Sequence, residues 1–146
     1  MQIAPSVPTT PMPSAITKPS FPTQEQPYRF FLSNMAKAEE RVLAAKMLIE
    51  GPQPMDLTLD AYIGKSIVEA RSGVNLLRKA LQDEAPAAAH KAARQAIGEL
   101  EAAVKLATTP SHDRLPASPH EYSARYTAAL KYIADAEGHS SMAFAL

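Results

Sequence analysis

Tyr28 to Ile49, reading YRFFLSNMAKAEERVLAAKMLI, places Tyr28, Phe31, Met35, Ala38, Val42, Ala45 and Ile49 at alternating steps of three and four residues. That is the period of an α-helix with one buried stripe. The Gly51-Pro52 pair that follows supplies its stop. Strict alternation, the mark of a half-buried strand, is missing from this stretch.

The same period recurs three times downstream. Leu59, Ile63, Ile67, Ala70, Val74, Leu77 and Leu81 form a second stripe, with Asp56 or Thr58 as its N-cap. Gly64 and Gly73 interrupt it, and a glycine inside a helix costs about 1 kcal/mol relative to alanine. Either they admit a neighbouring helix closely or they mark a bend. A third pattern begins near Pro86 and runs through Ala89, Ala93, Ile97, Leu100, Val104 and Ala107 to Thr108-Thr109-Pro110. Half of that stripe is alanine, so a neighbour packs at short interaxial distance. Ser118-Pro119-His120-Glu121 has the composition of a capping box, with proline at the first helical position. From it run Tyr122, Tyr126, Ala129, Ile133 and Ala136, and Gly138 is placed to end the helix.

Four amphipathic helices with short connections bury their stripes most simply as an antiparallel four-helix bundle, an all-α fold. Upstream of Tyr28 the chain changes character. Seven of its 13 prolines (Pro5, Pro8, Pro11, Pro13, Pro19, Pro22 and Pro27) lie there, with only Lys18 and Glu25 as charges. Repeated proline removes backbone donors and favours extended polyproline II, which rises about 3.1 Å per residue, so this arm can reach roughly 80 Å. The expected organisation is an extended arm over 1–27, a four-helix body over 28–138 and an apolar tail over 139–146. In that tail Met142, Phe144 and Leu146 are expected to fold back onto the bundle, being too apolar for a purely solvating end.

Composition narrows the chemistry. The 146 residues carry 15 basic and 15 acidic side chains, a net charge of zero, and no basic block. Without one, the phosphate-neutralising contribution to nucleic-acid affinity is absent, so nucleic acid is not expected as a partner. There is no cysteine, which excludes disulfides, thiolate metal sites and a cysteine nucleophile. No run reaches the roughly 18 to 20 apolar residues that a membrane-spanning helix needs. The arm lacks the basic start and unbroken apolar stretch of a secretory signal peptide. The expected location is the cytoplasm, or an extracellular or virion assembly.

The four histidines are dispersed. A carboxylate-bridged di-iron bundle needs inward-facing Glu-x-x-His pairs, and the sequence has none. His112-Asp113 lies in a proline-flanked loop, His120 in the first turn of the last helix, and His139 just after Gly138. His90 stands on a helix, but the lysine and glycine that follow the reactive histidine of phosphotransfer bundles are replaced by Ala93 and Arg94. No phosphate-binding glycine loop, nucleophile elbow or metalloprotease histidine pair occurs. No catalytic, cofactor-binding or metal-binding residue is therefore assigned, and an enzyme is not expected.

Several large apolar residues lie off the stripes: Phe30, Leu43, Leu48, Val68, Leu76, Leu106, Leu130 and Tyr132. Either they are ordinary single apolar residues on a surface or a widened stripe, or, the favoured account, they mark helices with one neighbour inside the bundle and another outside it. The expected function is a non-catalytic structural or assembly protein, a helical subunit or adaptor of a larger complex such as a bacterial or phage one. Its arm would bind a neighbouring subunit or another copy of the chain. The residues expected to carry partner contacts are Pro5, Pro8, Pro11, Pro13, Phe21, Phe30, Leu48 and Phe144. The alternatives are a regulatory helical module, acting by phosphotransfer or as a chaperone-like binder, and an exported protein with a flexible N-terminal signal.

Overall fold

The computed structural model describes residues 28–52, 58–108 and 118–145, with side chains described as far as residue 141. Four helices account for nearly all of them: α1 (Arg29–Glu50), α2 (Leu59–Ala80), α3 (Ala87–Thr108) and α4 (Pro119–Ala145). There is no strand among the described residues. The fold is an all-α helical bundle in which α1 packs on α2, α2 on α3, α3 on α4 and α4 on α1.

The helix ends follow local chemistry. Thr58 caps α2, its Oγ1 accepting from the Ala61 amide at 3.2 Å, which satisfies one of the orphan donors of the first turn. Pro86 precedes α3, and its carbonyl accepts from the Ala89 and His90 amides at 3.0 and 3.1 Å. At α4 the Glu121 carboxylate accepts from the Ser118 backbone amide at 2.9 Å, the glutamate half of a capping box. Gly51 ends α1 in an extended conformation, its amide bonded to the Met47 carbonyl. A Cβ on Gly51 would sit 2.7 Å from that same oxygen, so this stop requires glycine for space.

Gly138 does not end α4. The helix continues through it to Ala145, so residues 139–145 extend α4 and are not a separate tail that folds back. The physical reason lies in packing two residues on: Ser140 is fully buried, its hydroxyl donating to the Ala136 carbonyl at 3.0 Å, and burial of a helical turn outweighs the modest cost of an internal glycine.

The core unites the four stripes. Phe31, Met35 and Val42 of α1, Leu77 of α2, Leu100 of α3, and Tyr126 and Ile133 of α4 are almost completely shielded from solvent. The buried face of α3 is mostly alanine, with Ala89, Ala92, Ala93, Ala96 and Ala103, so its neighbours approach closely. Gly73 serves the same end. A Cβ there would lie 3.1 Å from Val42 Cγ2 and 3.5 Å from Leu100 Cδ1, so α2 meets α1 and α3 where a methyl group would fit only if Val42 gave way by a few tenths of an ångström. Gly64 has open space around it and serves no such contact.

Each interface also carries one polar tie. Arg41 pairs with Glu69 at 3.2 Å between α1 and α2, and Arg125 with Glu99 at 2.9 Å between α4 and α3. Arg78 pairs with Glu101 between α2 and α3, and the Ser123 hydroxyl donates to Glu50 between α4 and α1. Exposed ion pairs contribute about 0 to 1 kcal/mol each, so burial of the apolar stripes dominates stability and these pairs favour one lateral register.

Candidate interaction surface

The N-terminal end of α1 is anchored by neighbouring side chains of opposite fate. Phe31 is fully buried, and its ring meets the His90 imidazole edge-on with centroids 5.6 Å apart. His90 in turn bonds through Nε2 to the Asp83 carbonyl at 2.8 Å. A carbonyl only accepts, so Nε2 carries the proton in this contact. The Asp83 carboxylate accepts from Asn34 Nδ2 at 2.7 Å. These contacts tie the connection between α2 and α3 to the first turns of α1 and leave His90 only partly exposed.

Phe30, one residue earlier, points the other way. It is 62% exposed, with the Arg29 guanidinium 4.7 Å from its ring centroid. That is the geometry of a cation-π contact. Farther along α1, Leu43 and Met47 are one helical turn apart and each about half exposed (48% and 52%), and on α2 Val68 is 65% exposed. Leu48 is half-buried.

The remaining off-stripe residues have partners. Leu76, Leu106, Leu130 and Tyr132 pack against the core as partly buried residues. A helix in a four-membered ring touches two neighbours, so its apolar arc is wider than one stripe. Pro5, Pro8, Pro11, Pro13 and Phe21 lie outside the described residues. Phe144 lies on the last turn of α4, with its side chain outside the description.

Two polar contacts inside the bundle meet at the Ser66 hydroxyl. Ser66 Oγ lies 2.9 Å from the Tyr126 hydroxyl and donates to the Ile63 carbonyl at 2.8 Å. Burial pushes the Tyr126 phenol above its ordinary value of 10.0. Burial, the Glu121 charge and the Asp60 charge together raise Tyr122. Glu137 is raised above 4.5, first by burial and then by repulsion from Glu39 across the α1–α4 interface. Among the described residues no group of three histidines or carboxylates converges as a metal-binding set. No helix among them is long and apolar enough to cross a membrane.

The sequence reading missed two surface grooves. One, of about 420 Å³, lies between α2 and α3 and includes Arg71, Arg78 and Lys105. The other, of about 380 Å³, lies between α1 and α2 and includes Lys37, Arg41 and Lys79. Their basic residues are legible singly in the sequence, but their convergence depends on which helix faces pair. Comparison with family models, curated proteins and solved structures finds no match for this chain.

Proposed function

We propose that this chain is a non-catalytic structural or assembly protein, a helical subunit or adaptor that works through contact surfaces. The observation that carries the reading is the double character of α1. Its inner face is buried along its whole length, from Phe31 to Ile49, while Phe30, Leu43 and Met47 remain on its outside. An amphipathic helix needs only one apolar face to hold its own domain together, so apolar residues on its outside suit a neighbour beyond the bundle.

In this reading the four helices run antiparallel. Asn34, early in α1, meets Asp83 just past α2, and Glu50, the last residue of α1, meets Ser123 at the start of α4. These pairings support the arrangement. The proline-rich segment before Tyr28 leads directly into exposed Phe30. As an extended arm it would follow a groove on an adjoining subunit at low conformational cost. The partners are other subunits or copies of the chain, and neither nucleic acid nor a bound cofactor enters the reading.

A chain starting at Tyr28, compared with the full chain, tests this. The expected result is an unchanged helical circular dichroism spectrum with a loss of assembled species in sedimentation. Equal assembly by both chains would remove the arm from the reading.

A further inference from the structure

Of the four helices, α2 carries the largest excess of basic over acidic side chains, in a protein whose charges balance as a whole. Between Leu59 and Ala80 the helix carries four bases, Lys65, Arg71, Arg78 and Lys79, against two acids, Asp60 in its first turn and Glu69. Glu69 is turned toward α1, where it binds Arg41. The four bases are all exposed, and Val68, among the most exposed apolar residues described, stands on the same outward face. The α2–α3 groove runs along one edge of this face. Val74 and Val104 line its apolar part, and Arg71, Arg78 and Lys105 its charged part. Arg78 is neutralised by Glu101. Neither Arg71 nor Lys105 has an ion pair among the described residues.

We propose that this face of α2, together with the α2–α3 groove, docks an acidic amphipathic helix of another protein. Two features select that chemistry. The uncompensated charges of Arg71 and Lys105 attract carboxylates and steer encounter, because complementary fields act over a Debye length of about 8 Å at physiological salt. Val68, exposed on the outward face, and half-buried Val104 in the groove offer apolar contact beside these bases, which the leucines of an amphipathic helix flanked by glutamates would match. A nucleic acid would instead require a continuous run of bases to neutralise successive phosphates. Here the valines and Glu101 interrupt it.

The proposal does not use residues 1–27, so it stands or falls separately from the arm. The probe is a fluorescein-labelled synthetic peptide with leucines at helical spacing and glutamates on the flanks. It is titrated with the full chain and read by fluorescence anisotropy. Three comparison probes accompany it: a scrambled peptide of the same composition, a lysine counterpart, and a single-stranded DNA oligonucleotide. The amphipathic acidic peptide should bind best, and Arg71→Glu with Lys105→Glu should weaken it about tenfold or more. The milder pair Arg71→Gln with Lys105→Gln should weaken it in the same direction, which keeps the test valid if charge reversal perturbs folding. Lys131→Glu, on exposed α4 surface, should leave affinity within about twofold. The proposal is overturned if the acidic peptide does not bind, if the scrambled peptide binds equally, if Lys131→Glu weakens binding as much as the double variants, or if the oligonucleotide binds more tightly.

Discussion

Ser66 and Tyr126, 60 residues apart in sequence, join their hydroxyls at 2.9 Å in the buried centre of the bundle. Ser66 has one proton and gives it to the Ile63 carbonyl, so Tyr126 is the donor to Ser66. The two partners are therefore unequal. Ser66→Ala leaves a buried phenol without an acceptor and should cost about 1 to 3 kcal/mol, whereas Tyr126→Phe removes the stranded group and should cost about 0.5 to 1.5 kcal/mol. Urea unfolding of the two variants checks the order. Equal losses, or a larger loss for Tyr126→Phe, would contradict the assignment of donor and acceptor.

The glycines separate by what surrounds them. An added Cβ at Gly64 or Gly98 meets nothing within 4 Å, so alanine at either position should stabilise the chain by about 0.5 to 1 kcal/mol through helix propensity. At Gly73 the same change forces the Val42 methyl to move within a filled core. Overpacking typically costs about 1 to 3 kcal/mol, more than the propensity gain, so Gly73→Ala should be less stable than the parent. Thermal denaturation of the three variants reads the difference in sign.

Much of this architecture can be read along the chain because the burial stripes repeat at helical spacing. In α1 every stripe residue from Phe31 to Ile49 is buried, and in α4 so is every one from Tyr122 to Ala136. Leu59 and Ala107 carry the correct phase but are exposed, since they fall at helix ends where no facing turn covers them. The role of Gly73 could not be told from that of Gly64, because the distinction lies in Val42 and Leu100 on other helices. Buried Asn34, Ser66, Ser123 and Ser140 escape an apolar pattern altogether. The end expected at Gly138 fails for a related reason: local propensity favours a stop there, but the chain stays helical to Ala145 and Ser140, two residues on, is buried. Of the candidate surface, Phe30 was legible as an off-stripe aromatic. Leu48 had the same signature but is half-buried.

Glu137 gives the stability a pH dependence with a definite sign. Burial and the Glu39 charge raise its pKa in the folded state, so the folded chain binds this proton more tightly than the unfolded chain. The associated stability is fully present below the carboxyl's ordinary value near 4.5 and is lost as pH rises through the folded value. Glu137→Gln should therefore be more stable than the parent at neutral pH, and the advantage should vanish below about pH 4. Denaturant midpoints measured across this range test it. A constant advantage at every pH would show that the charge is not the cause.

Leu43 and Met47 form the exposed apolar pair on α1. Replacing both with glutamine keeps helix propensity and removes the apolar surface, so the fold should lose no more than about 1 kcal/mol. Assembly should nevertheless weaken, as seen in sedimentation at matched concentration. Unaltered assembly would show that this side of α1 faces solvent in the complex.

The most direct test of the whole reading is the native mass of the chain in an extract of its own cells, measured by size-exclusion chromatography with immunodetection. A subunit that works by contact should elute well above its 15.7 kDa monomer mass, alone in multiples or together with partners. Elution of the entire population as a 15.7 kDa species would contradict an assembly role.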